Sequence, residues 1–195
     1  VLNIVHGGKE AVDALCSHAE VKAVSFVGSC HVGEHVYKLS SPHGKRAQCM
    51  MGAKNHAIVM PAANKEQALN ALVGATFGAA GQRCMATSVA VLVGDANKWI
   101  PDIVAKAKTL KVNAGIEPGT DVGPVISTQA KQRIESHIAK GIEEGATLVA
   151  GGTGRPDGCD KGFYVRPTVF ANVTNDMVIA REEIFGPVLC VQSFS

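Results

Sequence analysis

Short apolar runs alternate with amphipathic stretches along the first fifty residues. Apolar runs at residues 1–5 and 23–27 predict strands, and the second, apolar except at Ser25, is typical of a strand buried on both faces of a parallel sheet. Residues 9–18 carry apolar side chains at helical spacing, and another helix is predicted at about 34–39. This order of strand, helix, strand, glycine turn and helix is typical of a nucleotide-binding α/β sheet.

The same alternation continues to the end of the chain, so an α/β fold is predicted throughout. One helix is expected to begin at Asn64, three residues before Gln67 in a near capping-box pattern, and another at Ser127 or Thr128. Residues 151–162 are rich in glycine and charge and predict a surface hairpin. Further strands are predicted at residues 47–51, 56–60, 87–93, 146–150 and 163–169, and a further helix near 98–110.

Composition narrows the class of protein. The 195 residues are 46% apolar and 18% charged, as in an ordinary globular protein. The net charge of +2 is too small to indicate a nucleic-acid or membrane-surface partner. No apolar run approaches the roughly 18 residues that a membrane-spanning helix needs. We therefore expect no nucleic acid and no membrane among the partners.

Cysteine and histidine positions argue against a metal or a disulfide framework. The 6 cysteines form no C-x-x-C pair, and the 7 histidines are dispersed. A reducing compartment is the simplest interpretation, either the cytoplasm or, in a eukaryote, the mitochondrial matrix. The chain lacks an initial Met and opens within an apolar run, so we expect it to be an excerpt of a longer protein, inactive when purified alone.

The glycine turn at residues 28–33 reads G-S-C-H-V-G. This is less than a full G-x-G-x-x-G fingerprint, so a plain strand-to-helix turn stays an alternative to a phosphate site. In the functional interpretation, Gly28 lets the backbone approach a phosphate, Ser29 offers a hydroxyl, and the helix N-terminus supplies unpaired N–H groups. Gly33 then allows the helix to pack closely on the strand.

A helical pattern ends in small residues and glycines at residues 74–82, just before Arg83 and Cys84. A thiol beside a fixed cation in a glycine-rich segment is placed to ionise, which indicates a covalent nucleophile. The alternative is a core cysteine, because free cysteines are among the most buried residues.

Four motifs in register resemble the aldehyde dehydrogenase superfamily along the whole chain. They are F-V-G-S-x-x-x-G, G-A-K-N after a strand, F-x-x-x-G-Q-x-C and E-E-I-F-G-P-V. Within the superfamily, residues 43–46, 51–56 and 77–86 are most similar to the CoA-acylating methylmalonate-semialdehyde dehydrogenase branch. The resemblance implies an α/β fold, with residues 1–51 ending a nucleotide-binding domain and residues 52–195 forming most of a catalytic domain.

The resemblance also implies roles for single residues. Cys84 matches the nucleophile that attacks the aldehyde, and its backbone N–H matches half of the oxyanion hole. Glu183 and Phe185 match the groups that hold the nicotinamide ribose and flank the nicotinamide of NAD. Without the resemblance, Glu183 reads as a solvated charge and Phe185 as a core residue. Gly28, Ser29 and Gly33 match the pyrophosphate turn, although this chain has Cys30 where the family commonly has Thr.

Two residues indicate the reaction. Met50 stands where hydrolytic members carry a Glu that activates water, and such a general base is typically worth about 10²–10⁴ in rate. A thiol acceptor such as CoA depends less on that help, because thiols are intrinsically nucleophilic. Arg83 matches the residue that binds the carboxylate of malonate-type semialdehydes, with loss of CO2 after acyl transfer. The alternatives are a packing role for Met50 and a structural salt bridge for Arg83.

The expected function is therefore NAD-dependent, CoA-acylating oxidation of methylmalonate or malonate semialdehyde, a small-molecule aldehyde. Two alternatives stay open: a hydrolytic aldehyde dehydrogenase with an unusual base, and a catalytically silent protein of this fold. A homo-oligomer, dimeric or tetrameric, is expected for the full-length protein.

Overall fold

Two sheets organise the chain, one in each of two units of the computed structural model, Val1–Gly52 and Ala53–Ser195. The structure describes residues 1–195. It has the α/β architecture that was predicted, in which strands alternate with helices. The predicted roles of residues 1–51 as nucleotide-binding and of residues 52–195 as catalytic are not tested by this division, and they stay predictions.

The first unit contains a two-stranded parallel sheet whose strands are joined through a helix. Its elements are α1 (Lys9–Ser17), β1 (Ala23–Val27), α2 (Cys30–Ser40), a 3-10 turn (Ser41–His43) and β2 (Arg46–Met50). The predicted strand at residues 1–5 is wrong, because that segment pairs with no other strand and has no regular structure. The prediction of a strand buried on both faces is also wrong: β1 pairs only with β2, and its side chains are exposed or half-buried.

A buried lysine caps the C-terminal end of α1. Lys45 is only 8% exposed, and its Nζ donates to the backbone carbonyls of Val21 (2.8 Å) and His18. A cation placed at the C-terminal end of a helix satisfies carbonyls that have no partner within the helix and complements the helix dipole. The buried charge is thus held by carbonyl oxygens.

The second unit contains a five-stranded sheet in the order β3-β4-β7-β6-β5. Four strands are parallel, and β5 runs antiparallel to β6 at one edge. The central strand β7 is buried on both faces over residues 188–191, as its unbroken apolar run requires. The elements are β3 (His56–Val59), α3 (Lys65–Phe77), β4 (Val89–Val93), α4 (Ile100–Thr109), α5 (Thr128–Glu143), β5 (Thr147–Ala150), β6 (Thr168–Ala171), α6 (Val178–Arg181) and β7 (Val188–Phe194), with 3-10 turns at Gly78–Gly81 and Gly94–Trp99.

Helix starts follow the predicted capping chemistry. The Asn64 side chain accepts the N–H of Gln67 at 3.1 Å and caps α3. Of the two candidates for the start of α5, Ser127 is the cap, and its hydroxyl accepts the N–H of Ala130 at 3.1 Å. None of the helices combines the length and apolar character needed to cross a membrane.

The segment before β6 differs from the prediction. Residues 151–162 form turns and bends without strands, and β6 begins only at Thr168. Pro167 immediately precedes this strand and has no N–H to donate to a ladder, so pairing starts after it. The loop is held instead by the guanidinium of Arg155, which donates to the carbonyls of Cys159 and Gly162.

Two glycines bring distant backbone segments into direct contact. Gly81 adopts a φ of +69°, and a Cβ at this position would lie 2.0 Å from the carbonyl oxygen of Gly186. A Cβ at Gly186 would in turn lie 2.7 Å from the side chain of Ile134 on α5, which is fully buried. The segment before Cys84 and the segment before β7 therefore touch because Gly81 lacks a side chain, and α5 packs on the second segment because Gly186 lacks one.

Replacing Gly81 with alanine should destabilise the protein by about 2–5 kcal/mol, combining left-handed strain with overpacking. Gly74→Ala is the matched control, because an added Cβ on α3 meets nothing within 4 Å, and a gain of about 0.4–1 kcal/mol is expected there. Urea unfolding of both variants measures the difference. Equal free energies of unfolding would contradict the assigned contact.

The thiol of Cys190 in β7 should make stability depend on pH. It is fully buried, donates to the carbonyl of Ile179 at 3.3 Å, and burial raises its pKa from 9.0 to about 11. Because the folded pKa is the higher one, this group stabilises the fold below pH 9 and the stabilisation is lost as the pH rises to about 11. Wild type should therefore lose on the order of 2–3 kcal/mol more than Cys190→Ala across that window. Parallel unfolding profiles of the two proteins would contradict this.

Candidate active site

The candidate site lies where three neighbouring strands begin. Strands β3, β4 and β7 are adjacent and parallel, so their amino ends lie at the same edge of the sheet. The segment before β3 contains Lys54 and Asn55, the segment before β4 contains Cys84, and the segment before β7 contains Glu183 and Phe185. Residues far apart in the chain thus meet because of the strand order.

Cys84 lies on a tight turn at this edge. The N–H of Ala86 donates to the carbonyl of Arg83 at 3.0 Å, with Cys84 and Met85 at the two corners. Because the peptide bond is trans, the N–H of Cys84 points away from the carbonyl of Arg83 and so out of the turn. Cys84 is exposed, which excludes the core-cysteine alternative. Its role as the nucleophile stays a prediction.

A strained segment leads into this turn. After α3 ends, Ala79, Ala80 and Gly81 have φ values of 50°, 53° and 69°, three left-handed residues in succession. Left-handed backbone costs an L-residue other than glycine roughly 1–2 kcal/mol. The contact between Gly81 and Gly186 and the burial of Ala80 hold this conformation in place.

Arg83 folds back onto α3. Its Nη2 donates to the carbonyls of Gly74 (2.7 Å) and Ala75 (3.1 Å) in the last turn of that helix. The structural alternative therefore takes the form of a helix cap, with carbonyl oxygens rather than a carboxylate as partners. A guanidinium has five N–H donors, and Nε and Nη1 are not used in these bonds. The predicted role in binding a substrate carboxylate stays a prediction.

Asn55 ties β3 to the turn through both its side chain and its backbone. The side-chain amide donates to the carbonyl of Cys84 and to the carbonyl of Ala86, each at 2.9 Å. The backbone carbonyl of Asn55 accepts the N–H groups of Ser88 and Val89, each at 3.0 Å. The peptide groups that follow Cys84 and Ala86 are therefore both held by one residue.

Lys54 contacts the segment before β7, which contains Glu183 and Phe185. Its Nζ donates to the carbonyl of Glu182 at 2.8 Å. Burial lowers the pKa of Lys54 below its usual value, and the negative charges of Glu183 and Glu182 partly oppose that effect. The ammonium group is thus a half-buried cation that anchors the backbone next to Glu183.

Glu183 and Phe185 lie on the segment that Lys54 anchors. Glu183 is half-buried, which differs from the solvated charge that the residue type alone indicates. Phe185 is 36% exposed and has a φ of 53°, so it is not a core residue. An aromatic residue in left-handed backbone carries strain of the kind that clusters at functional sites.

A narrow cleft at this edge collects several of the predicted residues. Its volume of about 10 Å³ is room for about one water molecule. Arg83, Glu183 and Phe185 line it together, and Cys84 is the next residue after Arg83. The full lining is Lys54, Asn55, Gly81, Arg83, Ala86, Thr87, Ser88, Glu183, Ile184, Phe185, Gly186 and Val188.

The predicted pyrophosphate residues lie in the first unit. A Cβ at Gly28 would lie 2.5 Å from the ring of Phe26, and a Cβ at Gly33 would lie 2.6 Å from the side chain of Met51. Both glycines thus permit close packing where β1 passes into α2. Ser29 is the N-cap residue of α2 but makes no side-chain capping bond, so its hydroxyl is not engaged there. Their role in binding a cofactor stays a prediction.

Met50 ends β2 in the same unit. Its side chain is 55% exposed in this chain, and its role stays a prediction. Cys30, the position where the family commonly has Thr, is exposed at the start of α2.

Lys54 and Asn55 had no predicted role, although the motif G-A-K-N contains them. Two polar residues directly before an apolar strand were the only local signal. Lys54 bonds to a residue 128 positions away in the chain, and Asn55 bonds to residues 29 and 31 positions away. Such pairings follow from strand order rather than from local sequence. If the order of the parallel strands had been predicted, the contacts of Lys54 and Asn55 could have been predicted as well.

Comparison with known proteins places the chain among its relatives. Residues 1–195 match the aldehyde dehydrogenase family. The mitochondrial methylmalonate-semialdehyde/malonate-semialdehyde dehydrogenase [acylating] of Homo sapiens is 55% identical over 191 residues, which are 97% of this chain and 36% of the human protein. The chain thus spans little more than a third of the length of that relative.

Solved structures give the same picture. The methylmalonate-semialdehyde dehydrogenase of Oceanimonas doudoroffii matches with a TM-score of 0.92 at 45% identity, over 97% of this chain and 39% of that one. A protein of Sinorhizobium meliloti 1021, complexed with NAD, matches with a TM-score of 0.91 at 47% identity, over 96% and 39% of the two chains. With the family match along its full length, the chain belongs to the aldehyde dehydrogenase family.

Proposed function

We propose that this chain forms part of an NAD-dependent enzyme that oxidises methylmalonate or malonate semialdehyde and transfers the acyl group to CoA. The observation that carries the proposal is the exposed thiol of Cys84 on a turn beside a cleft that Arg83, Glu183 and Phe185 line. Relatives named as acylating dehydrogenases of these two semialdehydes support the choice of substrate and acceptor.

The residues present fit NAD. Ser29 has a hydroxyl with no capping bond at the exposed N-terminus of α2, and helix N-termini bind phosphate groups through free N–H groups. We assign the pyrophosphate to Gly28, Ser29 and Gly33. Glu183 would accept hydrogen bonds from the ribose hydroxyls, and Phe185 offers an apolar face for the nicotinamide. When bound, NAD supplies a hydride acceptor.

Cys84 then acts as the nucleophile. Its sulfur attacks the aldehyde carbon and gives a thiohemiacetal, and oxidation of that adduct leaves an acyl thioester on the same sulfur. The N–H of Cys84, which points out of its turn, donates to the oxygen that gains negative charge. One such donor is typically worth about 10²–10³ in rate.

Met50 favours a thiol over water for release of the acyl group. A thioether takes up no proton, so water lacks the general base that the hydrolytic members of the family use. The thiol of CoA attacks the thioester carbonyl, its proton passes to solvent, and Cys84 leaves as the thiolate. The β-carboxylate of the product departs as CO2, and the carbanion left behind takes up a proton from solvent. The product is propionyl-CoA from methylmalonate semialdehyde and acetyl-CoA from malonate semialdehyde.

The proposal also covers the compartment and the oligomeric state of the whole enzyme. We infer the mitochondrial matrix for a eukaryotic source, since the mammalian and insect relatives are named as mitochondrial, and the cytoplasm otherwise. We infer a homo-oligomer for the whole enzyme.

NADH formation with and without CoA tests the acceptor. In the whole enzyme that carries this chain, the rate with CoA should exceed the rate without it by about 10² or more, because no base activates water. Met50→Glu should raise the CoA-independent rate by up to about 10², since it restores a carboxylate at that position.

Met60→Glu is the matched control, because Met60 is 53% exposed after β3 and has no assigned role. That variant should keep the rates of wild type. Full-rate NADH formation without CoA would exclude the acylating function in favour of the hydrolytic alternative. Unchanged turnover in Cys84→Ser would exclude both.

The two roles of Arg83 can be separated with two substrates. If its free N–H groups bind the substrate carboxylate, Arg83→Met should lower kcat/KM for methylmalonate semialdehyde by about 10–100-fold, the loss of a charged hydrogen bond. Propanal has no carboxylate and should lose much less. Equal losses for the two aldehydes would leave Arg83 with the helix-capping role alone.

A further inference from the structure

Lys54 and Asn55 are adjacent in sequence but bind different segments of the site. Asn55 bonds to the turn of Cys84, and Lys54 bonds to the backbone beside Glu183. Both bonds cross the same edge of the sheet, since β4 lies between β3 and β7. We propose that this dipeptide is a pair of positioning residues, Asn55 for the nucleophile and Lys54 for the cofactor segment. The inference rests on the proposed function and extends it to two residues with no assigned role.

Asn55 acts on the direction of the oxyanion donor. The turn leaves the N–H of Cys84 pointing outward only while the peptide groups on both sides of the thiol keep their planes. The carbonyl of Arg83 is held within the turn, whereas the carbonyls of Cys84 and Ala86 are held by the amide of Asn55. Only a side chain with two N–H donors can serve both carbonyls at 2.9 Å.

Lys54 acts on the segment that carries Glu183 and Phe185. The only backbone carbonyl that its ammonium group bonds to is that of Glu182, and the carboxylate of Glu183 lies near enough to oppose the pKa shift of Lys54. A half-buried cation with one carbonyl and nearby negative groups is held firmly, because separating it would leave a desolvated charge. Phe185 sits two residues further along in strained backbone that this anchor helps to hold.

The pair therefore predicts two separable defects. Asn55→Asp keeps the size of the side chain but removes both donors and places a carboxylate against two carbonyls. In the whole enzyme that carries this chain, the kcat of this variant should fall about 10–100-fold, part of the value of an oxyanion donor, with NAD affinity unchanged. Alkylation of Cys84 by iodoacetamide, followed by mass spectrometry of the Cys84 peptide, should shift to higher pH because a negative charge opposes the thiolate.

Lys54→Met should show the opposite pattern. Titration with NAD should give a Kd raised about tenfold, as expected from about 1.4 kcal/mol of lost positioning. The pH dependence of Cys84 alkylation should match wild type. Lys54→Arg, which restores a charged donor, should recover much of the NAD affinity, and Asn55→Ser, which keeps one donor, should fall between wild type and Asn55→Asp.

Two controls report on structure alone. The Asn97 amide also donates to two backbone carbonyls, those of Gly94 (2.9 Å) and Phe194 (3.5 Å), away from the cleft. Lys111 donates to the carbonyl of Pro118 at 2.8 Å, also away from the cleft. Asn97→Asp and Lys111→Met should change the melting temperature without changing Cys84 alkylation or NAD affinity.

The outcomes separate this inference from the proposed function. If wild type binds NAD and Cys84→Ser is inactive, but Asn55→Asp and Lys54→Met change alkylation and NAD affinity together or not at all, the positioning inference is overturned and the proposed function stands. If wild type binds no NAD, or if Cys84→Ser turns over like wild type, the proposed function itself fails. Opposite defects in the two variants, with both controls unchanged, support the pair.

Discussion

The backbone contact between Gly81 and Gly186 is the constraint on which the site depends. It joins the segment before β4 to the segment before β7, at a distance that no side chain at Gly81 permits. Ile134 of α5 closes the other side of Gly186, so the contact is backed by the buried core. Packing density rather than a hydrogen bond therefore fixes how near Cys84 and Glu183 can lie.

Side-chain hydrogen bonds then orient the three backbone segments that this packing brings together. Asn55 holds the peptide groups of the turn, Arg83 braces the turn against α3, and Lys54 anchors the third segment. All three bind backbone carbonyls, so each side chain substitutes for a ladder or helix bond that the irregular segment lacks. The arrangement leaves the thiol of Cys84 exposed while its surroundings are fixed.

Most helices and strands could be predicted from local sequence, but the long-range contacts between the segments that flank them could not. The cap at Asn64 follows from side-chain chemistry alone, and the structure confirms it. For α5 the sequence leaves Ser127 and Thr128 as candidates, and the structure selects Ser127. The failed strand at residues 1–5 shows the limit, because an apolar run forms a strand only where a partner pairs with it. The bonds of Lys54 and Asn55 depend on the strand order, and ligands in open α/β sheets more often bind at the carboxyl ends of the strands. Local reasoning therefore gives no reason to examine the amino ends.

Ala79 and Ala80 introduce backbone strain next to the site. Both hold left-handed backbone that glycine or asparagine would adopt more easily. The native loop is thus maintained against its local preference, by about 2–4 kcal/mol in total, and the surrounding sheet supplies the difference. Substitutions that favour left-handed backbone at Ala79 and Ala80 would raise the stability of the protein. Strain of this kind is often tied to function, so higher stability and a fixed orientation of the Cys84 thiol are opposed at these two alanines.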